Sequence, residues 1–206
     1  MLRHISIFHA SLTRMLAGAC AAAIVTLAHA APGAQSAAAD CGSAGSAHAP
    51  RNPCSTPANF VQWRPGLASS AQPNADYLKR VKALGYEVVI NLAPPEYKEA
   101  VEAEGGMLGA QGVTYLNIPV NFGKPTAEDF RVFSAMMKTV AKKNVLVHCQ
   151  VNLRGTSFTL LYRVIHEGAS MDESRAKLNS VWVPNPTWKK FIESVLEANG
   201  RKGEFF

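Results

Sequence analysis

At 206 residues the chain has room for one ordinary domain besides whatever its first quarter does. With 48% apolar and 17% charged residues it has the composition of a globular protein. Its formal charge of +6 comes with no basic stripe and no interleaved aromatics, which argues against a nucleic-acid partner and only slightly favours anionic substrates.

The first element in chain order is a targeting segment. Arg3 and Arg14 supply positive charge, Met15 to Leu27 form an apolar core, and Ala28-His29-Ala30 present small residues for cleavage. Residues 1–30 therefore read as a secretory signal peptide, with a core too short for a permanent membrane span. Its removal leaves 19 basic against 15 acidic residues, a net charge of +4, on a product expected in the periplasm or outside the cell. Cys20 falls within the discarded core, leaving Cys41, Cys54 and Cys149. In an oxidising compartment the first two can pair, which would leave Cys149 as the odd, reactive thiol. Residues 31–57 are rich in Ala, Gly, Ser and Pro with almost no large apolar residue, the composition of a linker.

Organised sequence begins near Asn59-Phe60, and residues 58–206 read as one domain. Asn74 can cap a helix carrying Tyr77, Leu78, Val81 and Leu84 on one face, with Gly85 as its stop. Val88 to Leu92 is a buried strand ended by Pro94-Pro95. Glu96 to about Glu104 is expected as a short, charged, exposed helix, and Val113 to Val120 as the next strand. Thr126 with Asp129 resembles a capping box, opening a helix with Phe130, Phe133, Met137 and Val140 in one stripe. Val145-Leu146-Val147 is a third apolar strand, and Thr156 to about His166 is a helix apolar enough to be central. Ser170 and Glu173 can cap a further helix. The last one carries Trp188, Phe191, Ile192, Val195 and Leu196 on one face. β-Branched strands alternating with helices predict an α/β domain with a mostly parallel central sheet flanked by helices.

In such sheets ligands bind beyond the carboxyl ends of the strands, where the stretch VLVHCQVNLRGTSF places Cys149. A thiolate becomes a good nucleophile beside a helix N-terminus or a cation. Successive backbone N–H groups entering a helix form an anion site, and an arginine fork grips two oxygens at once. Cys149, the loop Gln150-Val151-Asn152-Leu153, then Arg154-Gly155-Thr156 combine these parts, as covalent catalysis through a cysteinyl-phosphate requires. The residues lack zinc spacing, a Walker loop and a dinucleotide fingerprint, so neither metal nor cofactor is expected. Trp182 and Trp188 flank Pro184-Asn185-Pro186, which reads as a packed helix corner.

VLVHC followed by a loop, Arg and an apolar helix resembles the cysteine-dependent tyrosine and dual-specificity phosphatases. GLASSAQPNADYLKRVKALGYEVVINLAPPE and then VTYLNIPVNFGKPTAEDF are similar to the bacterial beta-lactamase-hydrolase-like phosphatase group, with the QP, VINL, IPV and HC pieces in order. The resemblance implies a protein tyrosine phosphatase-like fold, Cys149 as nucleophile, Arg154 as phosphate clamp and His148 steering the loop. It also implies a phosphorylated small molecule or phosphoprotein as partner. The spacer between Cys149 and Arg154 is four residues where the general phosphatase loop has five. The resembling bacterial group tends to share this length, and so do rhodanese sulfurtransferases.

Two departures matter. The loop has no glycine before the arginine, so Asn152 and Gly155 are the residues able to take a left-handed conformation. Where such phosphatases carry an acidic residue to protonate the leaving oxygen, Asn121 stands, and an amide cannot serve. Asp129 and Glu128 are the nearest acids, with Asp129 the candidate, although the capping box also accounts for Asp129. Three functions fit: a phosphate-monoester hydrolase, possible on phosphotyrosine; an anion- or partner-binding module of the same fold; and a sulfurtransferase.

Overall fold

The computed structural model describes residues 56–97 and 100–203. The signal segment, most of the linker, and Cys41 and Cys54 lie outside them. Five strands form one sheet: β1 (Val61–Arg64), β2 (Leu67–Ser70), β3 (Val88–Asn91), β4 (Thr114–Asn117) and β5 (Val145–His148). Their spatial order is β1-β2-β5-β3-β4, with only β1 antiparallel. The helices are α1 (Ala75–Leu78), α2 (Glu104–Gly109), α3 (Ala127–Thr139), α4 (Leu153–His166), α5 (Met171–Asn179) and α6 (Pro186–Ala198).

Successive side chains of a strand point to opposite faces, and the core divides accordingly. Val88, Ile90, Val145 and Val147 join the larger cluster with Phe130, Phe133, Phe158, Leu178, Trp188 and Ile192 from α3 to α6. Val89 and Leu146 join the smaller cluster with Tyr77, Leu78 and Leu108 from α1 and α2. The chain lays α1 and α2 on one face, crosses over with α3, and returns to insert β5 between β2 and β3. That reversal opens the crevice in which ligands of open α/β sheets bind.

The hairpin β1–β2 was not among the expected strands; Gln62, Arg64 and Ser69 hide its apolar pattern, and it is only four residues a side. Its turn needs Gly66, which sits at φ +76 where a Cβ would also run into the Asn144 side chain. The exposed edge of β1 is covered from α5, whose Lys177 Nζ donates to the Gln62 and Trp63 carbonyls at 2.9 and 3.1 Å.

Two expected helices differ. The first shortens to one α-turn capped by Asn74, then continues as turns to Gly85, with Tyr77, Leu78 and Val81 buried but Leu84 exposed. The exposed helix placed at Glu96 to Glu104 is replaced by α2, which begins where that one was to end. Its three glycines lower helix propensity, but fully buried Leu108 anchors it in the smaller cluster. Elsewhere the expected caps form, with Thr126 and Asp129 in a reciprocal capping box and Ser170 capping α5, and Asn185, expected only as part of a helix corner, caps α6 ahead of Pro186.

The hairpin is tied to the end of α4 by one carboxylate. Glu167 accepts from Arg64 Nε and Nη2 at 2.8–3.1 Å and from Arg163 Nε at 3.3 Å. Burial works to raise the Glu167 carboxyl, but Arg64 and then Arg163 outweigh it and hold it below its ordinary value. A depressed carboxylate stabilises the fold above its unfolded-state pKa, and that contribution is lost as pH falls through the folded-state value. Glu167→Gln is therefore expected to lower the melting temperature by roughly 2–4 °C at pH 7, allowing for partial exposure of the pair. The deficit should shrink as pH falls below about 4, and calorimetry across that range checks it; an equal deficit at pH 3 and 7 contradicts it.

Candidate active site

The two-residue period of β5 continues into the site. His148 follows Leu146 toward the α2 face, and Cys149 follows Val147 toward α4; both are 0% exposed. Cys149 N–H donates to the Ser70 carbonyl at 3.3 Å, and the thiol is free.

Three hydrogen bonds and an isolated β-bridge shape the loop after it. Gln72 N–H donates to the Gln150 carbonyl at 3.2 Å, and Ala71 bridges Val151. Asn59 Nδ2 donates to the Val151 carbonyl at 2.9 Å, and Asn152 Nδ2 to the Asn59 carbonyl at 2.5 Å. Asn152 takes the left-handed conformation at φ 69, the role open to it in the absence of glycine. Gly155 serves differently. Its φ is not positive, but the Asn152 amide lies against it so closely that a Cβ would collide with Oδ1.

Asn152 is also the N-cap residue of α4, yet its side chain makes no capping bond. The caps of α1, α3, α5 and α6 all do. Leu153, Arg154 and Gly155 thus form the first turn of a 14-residue helix whose N-terminal amides and positive dipole end are left for something else.

Arg154 is 7% exposed. Its Nε donates to the Val120 carbonyl at 2.9 Å, and its Cζ lies 5.3 Å from the centre of the Phe122 ring. Val120 is set beside the sheet by its own N–H, which donates to the Leu92 carbonyl at 3.1 Å. Phe122 is held in turn by Trp188, whose Nε1 donates to its carbonyl at 2.9 Å, and by Trp182, with ring centres 6.0 Å apart. With Nε engaged, the two Nη nitrogens make no hydrogen bond, and no carboxylate pairs with the guanidinium among the described residues. A pocket of about 160 Å3 opens here, lined by Phe122, Gln150, Val151, Leu153 and Arg154.

The other expected residues lie as follows. Thr156 is fully buried, with Oγ1 turned back to the Asn152 and Leu153 carbonyls at 2.8 and 3.2 Å. Asn121 is exposed and accepts from Gly123 N–H at 2.9 Å, forming a local turn. The Asp129 carboxylate accepts from Thr126 N–H at 2.9 Å, which commits it to the capping box, and it does not border the pocket. Sequence reasoning missed Asn59, Gln72, Val120 and Glu104. Glu104 is 5% exposed and its Oε1 lies 2.9 Å from His148 Nε2. Only Gln72, in the QP pair, and Val120, in the IPV piece, carried any signal. The others act through backbone atoms or across the sheet.

Among the described residues no cluster of three or more His, Cys, Asp or Glu is placed to hold a metal ion. Among the described residues no helix is long and apolar enough to cross a membrane.

A sequence comparison with curated proteins finds none similar. Among solved structures, a candidate phosphatase of the DUF442 group from Shewanella putrefaciens shares 32% identity, with a TM-score of 0.63 over 69% of this chain and 93% of that one. A human DUSP28 variant (19% identity, TM-score 0.54, 70% and 97% covered) shows the same fold. So does the core catalytic domain of the PP-IP phosphatase SIW14 from S. cerevisiae (16%, 0.52, 73% and 98%). Residues 59–164, half of the chain, match the phosphatase-like domain of beta-lactamase hydrolase-like proteins, and the chain belongs to that family.

Proposed function

We propose that this domain hydrolyses phosphate monoesters through Cys149. The observation that carries the reading is Arg154. A buried guanidinium without a carboxylate partner is costly unless an anion joins it, and its Nη fork faces a pocket at an uncapped helix N-terminus. A phosphoryl group supplies the missing charge: two oxygens for the fork, and others for the first-turn amides.

In the first step the Cys149 thiolate forms an S–P bond as the P–O bond to the leaving group breaks, and the electron pair departs on that oxygen. In the second, water attacks phosphorus, the S–P bond breaks, and inorganic phosphate leaves with the thiolate restored. Arg154 and the amides of Leu153 and Gly155 hold the equatorial oxygens through both steps. No carboxyl group lines the pocket, so the leaving oxygen departs without a protein acid. That suits aryl phosphates, phosphotyrosine included, whose phenolate needs least help. The signal-like residues 1–30 support an exported enzyme, periplasmic or secreted.

A second reading has its own observation. Cys149 has no exposed surface, which favours an anion-binding module of the same fold with little turnover.

p-Nitrophenyl phosphate separates the two. Hydrolysis is expected from the wild type, reduced on the order of 10³-fold or more in Cys149→Ser and about 10²–10³-fold in Arg154→Lys. A wild type that is stabilised by vanadate but releases no nitrophenol sinks the hydrolytic reading in favour of the binding module. Asp129→Asn is expected to leave kcat within about threefold while costing about 0.5 kcal/mol as the capping box weakens. A fall of 10²-fold with the fold intact would instead make Asp129 the acid.

A further inference from the structure

Three non-glycine residues among those described have a left-handed backbone: Asn59, Ala103 and Asn152. Each such residue costs roughly 1–3 kcal/mol and persists only where its surroundings enforce it. Asn152 lies in the cysteine loop, and Asn59 is bonded to it twice. Ala103 is remote from that loop in sequence, yet it turns the chain directly into Glu104.

Glu104 is a carboxylate at 5% exposure on the opposite face of the sheet from the pocket lined by Arg154. Its Oε1 is 2.9 Å from His148 Nε2, and its Oε2 accepts from Gln72 Nε2 at 3.3 Å. The contact to His148 is close, although the N–H does not point along the line between the two atoms. A carboxylate oxygen and a ring nitrogen at that distance repel unless a proton is shared between them, as the tautomer with hydrogen on Nε2 would supply. Gln72 in turn donates its backbone N–H to the Gln150 carbonyl. One carboxylate thus reaches the residue before the nucleophile directly, and the residue after it through a single intermediary.

We propose that Glu104 is a positioning residue for the cysteine loop, holding His148 on one side of Cys149 and, through Gln72, Gln150 on the other. The role rests on the hydrolytic reading, because the loop's geometry matters for attack on phosphorus. Hydrogen bonds from a buried, fixed acceptor orient the groups that touch the substrate, and a misplacement of about 1 Å at a reacting atom costs on the order of 10²-fold in rate. Glu104 touches no substrate and acts only through the two flanks.

The test uses Glu104→Ala and Glu104→Gln in the full chain. Kinetics with p-nitrophenyl phosphate, tungstate affinity and the imidazole 15N spectrum of His148, assigned against His148→Gln, are the readouts. In Glu104→Ala kcat is expected to fall about 10–100-fold with KM within about threefold, and His148 to pass from one Nε2–H tautomer to a mixture. Glu104→Gln retains an acceptor for His148, while the Gln72 amide turns over to present Oε1, which is buried without a partner. This variant is expected to keep the single tautomer and recover kcat to within about threefold of wild type. An unchanged kcat or an unchanged tautomer in Glu104→Ala overturns the proposal, as does a Gln variant as impaired as the Ala variant. Should Glu104→Ala fail to fold, Gln72→Leu breaks one arm alone and is expected to lower kcat about tenfold; no change there overturns it equally. If the wild type hydrolyses nothing, the hydrolytic reading fails by itself. Glu104 is then judged by the tautomer and by tungstate, whose affinity is expected to fall about tenfold in Glu104→Ala.

Discussion

Strand β5 lies between β2 and β3, hydrogen-bonded on both sides, and its two-residue alternation settles where each group at its end must go. Val145 and Val147 are committed to the α3–α6 core and Leu146 to the α1–α2 core. Cys149 and His148 therefore leave the sheet on opposite faces. A one-residue slip would exchange them, presenting the imidazole to α4 and burying the thiol beside Glu104. Because both faces are filled by large fully buried side chains, such as Phe158 and Leu146, the register is strongly specified. The placement of the site is thus a consequence of how the core is packed.

The same arrangement accounts for a cation left without a counter-ion. Arg154 comes from the first turn of α4, a helix buried along nearly its whole length, so its side chain cannot extend into solvent. Two backbone and aromatic contacts hold it: the Val120 carbonyl on Nε and the Phe122 ring against the guanidinium plane. Neither neutralises it. A partner carboxylate would have filled the pocket permanently. Its omission, next to a helix whose N-cap asparagine bonds elsewhere, keeps positive potential where a dianion can enter. Trp188 of α6, with Trp182 from the connection before it, contributes from a distance by packing behind Phe122, so α6 belongs to the site's support although none of its residues lines the pocket.

Legibility in the sequence followed the range of the interactions. Strands β3 and β5, the stripe on α3 and the face of α6 could all be read, because runs of large apolar residues encode burial locally. Capping at Asn74, Thr126 and Ser170 could be read for the same reason: donor and acceptor are three residues apart. The hairpin β1–β2 could not, since its short strands mix polar residues with apolar ones and draw stability from α5 and Glu167. Helix α2 was misplaced because its glycines speak against a helix, and only burial of Leu108 overrides them. At the site, Cys149, Asn152 and Arg154 stood within one short stretch. The clamp that holds Asn152, the carbonyl that holds Arg154 and the carboxylate beside His148 come from three distant segments, and nothing in a single sequence links them.

Two positions that support the cysteine loop from outside it share a backbone feature. Asn59 and Ala103 are both in left-handed conformations, which asparagine accepts and alanine does not favour, and both flank contacts to the cysteine loop. Local propensity argues against the conformation of Ala103, so a reading built on propensity passes over it. Strain that recurs in three separate segments and converges on one loop requires a fold that holds all three in place. Here that fold includes the β5 ladder, the buried α4 and the small core beneath α2. Asn152 was legible because it lies inside the cysteine stretch, whereas Asn59 and Ala103 lie far from it in sequence, so distance along the chain and not backbone conformation hid them.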